Sequence, residues 1–139
     1  MVHALSEIHR VLVKSGILID LRPISERWPI EIISSQGIQQ TGRVIDTQKA
    51  LKEDTAANEA MAYAASQGLF VQEQTTSFPF SYSWDTPKEM EKYIEEEWEN
   101  DNALDDQTIQ ATRSTWAAAG ADAKPRIQLK MILSRWRKS

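Results

Sequence analysis

The stretch EIHRVLVKSGILIDLRP, residues 7–23, constrains the fold more than any other part of the chain. Its first half spaces apolar side chains three and four residues apart, as in an amphipathic helix, and Gly16 follows as a turn. Residues 17–21 are then almost continuously apolar. Such a short run, bounded by Gly16 and Pro23, predicts a strand that is covered on both faces and ends at the Arg-Pro pair. A helix followed at once by such a strand indicates an α/β protein in which more parallel sheet precedes this segment.

The next third of the chain predicts a hairpin and then a helix. Residues 29–45 contain two strand-like arms around the turn residues Gln36 and Gly37. The helix that follows is expected to run to Gln67, with Gly68 just after its last turn. The segment GIQQTGRV, 37–44, has the glycine spacing of a phosphate-binding loop but lacks the Lys and Ser/Thr of that motif. A hairpin arm is therefore the preferred interpretation.

The second half of the chain predicts an aromatic strand, two helices and a closing strand. Four aromatic residues alternate with small residues at period two, which places them on one face of a strand: Phe78, Phe80, Tyr82 and Trp84. Packing against helices is the preferred interpretation of this row, and a ligand-pocket wall is the alternative. Thr86 to Glu89 has the pattern of a capping box. A further helix is expected around 109–116, stopped by Gly120, and the last strand is expected over 126–136 with Ile127, Leu129, Met131 and Leu133 on one face.

Composition excludes several classes of function. The chain has no cysteine, which excludes disulfides, thiol catalysis and thiolate zinc sites. Its formal net charge of −4 argues against general nucleic-acid binding. No apolar run approaches the roughly 18 residues of a membrane span, and the N-terminus lacks the apolar core of a signal peptide. We therefore expect a cytoplasmic protein that binds neither nucleic acid nor membrane, and its length suits a single domain over 1–139.

Few residues are candidates for chemistry. His3 and His9 lie six positions apart on different sides of one helix, so they cannot bind one metal together. The acidic run over 95–106 lacks the spacing of a calcium loop and is interpreted as a solvated helix end and link. The basic residues of the C-terminus either pair with this run or bind an anion. No catalytic residue, metal site or cofactor-binding residue is predicted.

The segment ALSEIHRVLVKSGILIDLRP resembles part of the Rossmann-like (class I) S-adenosylmethionine-dependent methyltransferases. In that family a helix ends in an Arg-Val-Leu-Lys-Pro-Gly-Gly-type turn that enters the fifth strand. Five residues match that pattern, namely Glu7, Arg10, Val11, Leu12 and Gly16. Residues 68–98 resemble the sixth strand and its helix, and 126–136 the antiparallel seventh strand. The resemblance implies an α/β fold with a mixed sheet, an antiparallel C-terminal strand, a β-hairpin insertion and about four helices.

The cofactor-binding half of that family has no counterpart in this sequence. The family holds its cofactor with a Gly-rich turn after the first strand and an acidic residue after the second. The five glycines here, at 16, 37, 42, 68 and 120, include no G-x-G pair. The resemblance therefore implies a methyltransferase-like C-terminal subdomain that is noncatalytic alone, either a gene fragment or a reading frame whose start lies upstream. The alternatives are the acceptor-side part of a methyltransferase completed by another chain, and a small-molecule or protein interaction module.

Two expectations about binding follow from the resemblance. Arg22, Pro23 and Trp28 follow the end of the predicted strand, where the family's acceptor substrate often lies, so they are substrate-binding candidates. Arg22 there either binds a carboxylate or phosphate or holds the loop in place. Without a fourth strand, the 17–21 strand has an open apolar edge. We therefore expect a homodimer through this edge, or docking to a separate N-terminal half.

Overall fold

The computed structural model describes all 139 residues. Its elements are α1 (Val2–Val11), β1 (Ile17–Ile24), β2 (Pro29–Ser34), β3 (Gly37–Arg43), β4 (Ile45–Asp46), α2 (Gln48–Ser66), β5 (Phe70–Ser83), α3 (Pro87–Glu97), β6 (Asn102–Ala103), α4 (Asp106–Ala118) and β7 (Lys124–Lys138). The four helices and the order of the long strands confirm the predicted mixed α/β class. Only the two-residue strands β4 and β6, which pair with each other, were not predicted. None of the helices combines the length and the hydrophobicity needed to cross a membrane.

The chain divides into two compact units. The first unit contains residues 1–24, 52–78 and 131–139, and the second contains 25–51 and 79–130. The long strands β5 and β7 each have residues in both units, whereas β1 lies wholly in the first unit and the hairpin wholly in the second.

In the first unit, β1 and β5 both pair with β7. The Lys138 amide donates to the Gly16 carbonyl at 2.8 Å, and the Ser139 amide donates to the Leu69 carbonyl at 3.1 Å. The last residues of β7 thus lie beside the first residues of both neighbours, so both pairings are antiparallel. The predicted antiparallel C-terminal strand is confirmed, but the mixed sheet that was expected is wrong, because β1, β2 and β5 all pair with β7 in the antiparallel direction.

The core of the first unit lies under α1 and α2. Its buried side chains come from both helices and from the ends of β5 and β7: Leu5, Ala60, Met61, Ala64, Phe70 and Trp136. The Ala-rich face of α2 permits a close approach of helix and strands. Gly68, at a φ of +70°, ends α2 in the left-handed conformation expected after a helix. The Lys138 ammonium donates to the His9 and Leu12 carbonyls and so satisfies the C-terminal end of α1.

The second unit is built on the hairpin of β2 and β3. Ser34 lies opposite Gly37, so a two-residue loop joins the arms, and Gly37 takes the positive φ of +126°. This confirms the hairpin and excludes the phosphate-loop geometry. β2 also pairs with β7, with Ile30 opposite Ile127, and both side chains are fully buried.

Side-chain caps fix the starts of α3 and α4. The Glu89 amide donates to the Thr86 hydroxyl at 3.2 Å, and the Glu89 carboxylate accepts from the Thr86 amide, which confirms the capping box. The Thr108 amide donates to the Asp105 carboxylate at 2.7 Å at the start of α4. The local pattern at Thr86 located the start of α3, whereas the helix expected around 109–116 begins earlier, at Asp106.

The structure corrects two expectations about the strands. β1 does not end at Arg22 and Pro23 but continues to Ile24. It is also not covered on both faces, because Ile19 and Leu21 are 53% and 55% exposed. In β7 the predicted face is buried at Ile127 and Leu129, but the buried positions then shift to Ser134 and Trp136. The predicted face of β7 is fully buried only at its first two positions, and Met131 and Leu133 are half-buried.

Candidate functional site

The open edge of β1 is the first candidate site. β1 pairs with β7 alone, so its other edge has no strand beside it. Because the Gly16 carbonyl bonds to β7 and such residues alternate along an antiparallel ladder, residues 19, 21 and 23 direct their backbone groups to the open edge. Pro23 has no amide hydrogen. Because its nitrogen faces the open edge, no hydrogen bond to β7 is lost, and proline is tolerated at such a position. The edge therefore offers the amides and carbonyls of Ile19 and Leu21 to an added strand.

The two faces of β1 have different chemistry. Ile19, Leu21 and Pro23 are exposed on one face, whereas the side chains on the other face are partly buried. A row of exposed apolar side chains beside unpaired backbone groups is the arrangement that invites another strand.

The partly buried face of β1 holds an ion pair. The Arg22 Nε donates to both carboxylate oxygens of Asp20 at 3.2 Å, and Nη2 donates to the Asn58 Oδ1 at 2.6 Å. The two charged side chains are only 20% and 17% exposed. Asp20 and Arg22 share a face because they are two residues apart in a strand, and α2 supplies Asn58. The arrangement fixes the guanidinium at the surface of the first unit.

A groove of about 570 Å³ opens beside this ion pair. Asp20, Arg22 and Asn58 line one part of it, and Ser134 and Trp136 of β7 line another. Trp136 is 7% exposed, and its Nε1 is buried without a hydrogen-bond partner. That buried donor is not accessible from the groove, whose polar lining comes instead from side chains such as Asp20, Arg22 and Asn58.

The three predicted substrate-binding residues do not share one environment. Arg22 lines the groove, whereas Pro23 is exposed on the opposite face of β1. Trp28 belongs to the second unit, where it is 6% exposed and packs edge-on against Trp98 at a ring distance of 5.8 Å. The sequence identified Arg22 but missed its partners. Asp20 could have been found, because residues two apart in a strand lie on the same face. Asn58 lies 36 positions from Arg22 in the sequence, so no local pattern connects the two.

Two members of the aromatic row, Tyr82 and Trp84, pack against α3 and Trp98 in the second unit, whereas Phe78 and Phe80 are exposed. Trp98 is the common member of this cluster, with ring distances of 5.3 Å to Tyr82, 6.3 Å to Trp84 and 5.6 Å to Tyr93. These contacts confirm packing for Tyr82 and Trp84. Burial, with the nearby Tyr82 and Glu97, raises the pKa of Tyr93, so its hydroxyl stays protonated at neutral pH.

His9 and the basic residues of the C-terminus contact neighbouring side chains. His9 contacts Phe70 edge-on at 5.5 Å, and no group of His, Asp or Glu side chains has the arrangement of a metal site. The basic C-terminal residues pair with acids outside the acidic run: Lys124 with Asp85, Arg126 with Glu31, Lys130 with Glu26, and Arg135 and Arg137 with Glu73.

The connections that run from a strand to a helix in this chain contain no glycine. The family's cofactor turn joins a strand to a helix and needs glycine for a close backbone approach. Three connections here run from a strand to a helix, and residues 47, 84–86 and 104–105 form them without any glycine. We find no protein-family model that matches the sequence, and no curated protein with a significant match to it.

Proposed function

We propose that this chain is the C-terminal half of a methyltransferase-like sheet, noncatalytic by itself, that works in an assembly supplying a strand to β1. One observation carries this proposal: β1, which resembles the family's fifth strand, pairs with the antiparallel β7 and with nothing on its other edge. In the family the fifth strand lies between the fourth and the seventh. An open edge at the position of the fourth strand is what a chain without the first half would have.

The exposed face of β1 supports the same proposal. Ile19 and Leu21 are large exposed apolar side chains, and in a complete α/β domain helices would cover this face of the sheet. S-adenosylmethionine would then be bound by the missing half, and Arg22, which lines the groove of the first unit, would belong to the acceptor side. This chain alone supplies no catalytic step, and we place it in the cytoplasm.

Calorimetry with S-adenosylmethionine tests the proposal when it is combined with reading the upstream DNA. We expect an in-frame Gly-rich strand–turn–helix motif upstream, and a polypeptide extended to include it should bind S-adenosylmethionine. Residues 1–139 alone should give no binding heat. Saturable binding of S-adenosylmethionine by residues 1–139 alone would contradict the proposal.

The groove beside Arg22 supports a second candidate function, a small-molecule binding module. Asp20 and Asn58 hold the Arg22 guanidinium in place at the groove, where it can meet an anionic group. A small carboxylate such as malonate should raise the melting temperature of the wild type and have no effect on Arg22→Ala. An equal shift in both proteins would exclude this groove as the binding site.

A further inference from the structure

We propose that the strand added to β1 is β1 of a second copy of this chain, in one antiparallel register centred on Leu21. This inference rests on the proposed function only in taking the open β1 edge as an assembly surface. It names the partner, and it predicts which residues of the two copies lie opposite each other.

The direction of the backbone groups limits the registers. Ile19 and Leu21 direct their amides and carbonyls to the open edge, and Pro23 directs its carbonyl there, so an antiparallel second copy must pair odd positions with odd positions. A two-fold axis then passes near residue 19, 20, 21 or 22. These four registers place different side chains opposite one another.

Charge selects one register among the four. A two-fold axis at residue 20 places the two Asp20 carboxylates opposite each other. An axis at residue 22 places the two Arg22 guanidinium groups opposite each other. Centring on 19 leaves both charged residues opposite uncharged ones. Only centring on Leu21 places Asp20 opposite Arg22 of the second copy, twice by symmetry. Because each chain already holds its own Asp20–Arg22 pair at 3.2 Å, the dimer would contain four alternating charges on one face.

The apolar side chains and the proline fit the same register. Leu21 lies opposite its own copy, and Ile19 lies opposite Pro23, so the exposed apolar face becomes continuous across the two chains. The Leu21 pair exchanges two backbone hydrogen bonds, and each Ile19 amide donates to a Pro23 carbonyl. Pro23 is the last paired residue on each side and has no amide hydrogen. The pairing therefore contains four backbone hydrogen bonds and leaves no Pro23 donor without a partner.

Single cysteines test the register, because the chain has no cysteine of its own. In this register two copies of Leu21→Cys have their Cα atoms about 5.5 Å apart, within disulfide range. Two copies of Ile19→Cys lie four residues apart along the ladder, roughly 13 Å, which is too far. The two positions are matched controls since their exposures are 55% and 53%. We expect Leu21→Cys to form a disulfide dimer under mild oxidation at micromolar concentration, at least tenfold faster than Ile19→Cys.

Charge reversal tests the selecting contact. Arg22→Asp places acids opposite acids, and sedimentation should show the dimer dissociation constant rising roughly tenfold. The double variant Asp20→Arg with Arg22→Asp restores opposite charges both within and between chains. The double variant should recover most of the dimer affinity. If Arg22→Asp weakened the dimer only by misfolding, the second substitution would not restore the affinity.

The outcomes separate this inference from the proposed function. A wild-type monomer at micromolar concentration, equal cross-linking at both cysteines, or a dimer that is insensitive to Arg22→Asp would each overturn the self-pairing. A monomer that instead binds a separate N-terminal half would overturn self-pairing and leave the half-sheet proposal standing. Binding of S-adenosylmethionine by the lone chain would overturn the half-sheet proposal without affecting the dimer.

Discussion

Asp105 is the side chain on which the start of α4 depends most directly. Its carboxylate accepts the Thr108 amide hydrogen at 2.7 Å, which satisfies one of the free donors at the helix N-terminus. Asp105→Ala should therefore lower the urea midpoint of unfolding measurably. Asp105→Asn, which retains a capping oxygen, should stay closer to the wild type. Asp106→Ala is the control, since Asp106 lies in the first turn without being the cap.

The same carboxylate makes stability depend on pH. The hydrogen bond from the Thr108 amide, assisted by the Arg27 charge, lowers the pKa of Asp105 below its ordinary 3.8. A lowered pKa in the folded state means that the stabilisation is fully present above the unfolded pKa. It is lost as the pH falls through the folded pKa. The Ser35 amide lowers the pKa of Asp122 in the same way and with the same sign.

We therefore expect the urea midpoint of unfolding to be constant from pH 5 to 7 and to decrease once the pH is lower than about 4. Asp105→Asn keeps a capping group that does not titrate, so its midpoint should fall less steeply over that acidic range. Denaturation series at several pH values would measure both slopes. Equal slopes in the two proteins would show that Asp105 does not contribute to the acid dependence.

Helix α4 lies so close to β3 that only glycine fits at position 42. A Cβ added to Gly42 would lie 2.6 Å from the Thr108 Oγ1 and 2.7 Å from its Cγ2. Gly42→Ala should therefore destabilise the protein by about 1–3 kcal/mol, because the packed helix must shift. Chemical denaturation measures this cost, and Gly120→Ala is the matched control, as its nearest neighbour is the end of the Asp122 side chain at 3.2 Å.

A double variant shows whether the cost comes from this contact. Thr108→Ala removes the two closest atoms, so Gly42→Ala should cost clearly less in that background than in the wild type. Additive costs would contradict a steric origin at the α4–β3 contact.

Elements that are determined locally were predictable from the sequence. The capping box at Thr86 and the left-handed Gly68 act within a few residues, so their patterns located the start of α3 and the end of α2 correctly. The hairpin turn was predictable for the same reason. The two-residue strands β4 and β6 were not, because two residues are too few to form a pattern.

Properties that depend on distant neighbours were not predictable. The apolar run of β1 suggested cover on both faces, yet Ile19 and Leu21 are exposed, since cover depends on which elements surround the strand. Arg22 and Trp28 are six positions apart in sequence but belong to different compact units. The candidate site could therefore be predicted at Arg22 alone, while Asn58 and Trp136 come from distant segments that no local pattern connects to it.

The assembly proposed for β1 makes the stability of the molecule depend on its concentration. Only folded chains associate into the dimer. A higher total protein concentration therefore shifts the equilibrium from unfolded chains towards the folded dimer. The melting temperature of the wild type should therefore rise between 1 and 100 μM. Leu21→Asp removes the central apolar contact and places two acids on the two-fold axis, so its melting temperature should be independent of concentration.

Trp98→Ala is the matched control for this dependence. It removes ring contacts of the second unit with Tyr82, Trp84 and Tyr93 and leaves β1 unchanged. Losing a partly buried tryptophan should cost about 3 kcal/mol and lower the melting temperature at every concentration. The slope against concentration should remain that of the wild type. A concentration-independent melting temperature in the wild type would contradict the dimer, and a lost slope in Trp98→Ala would show that the association surface extends beyond β1.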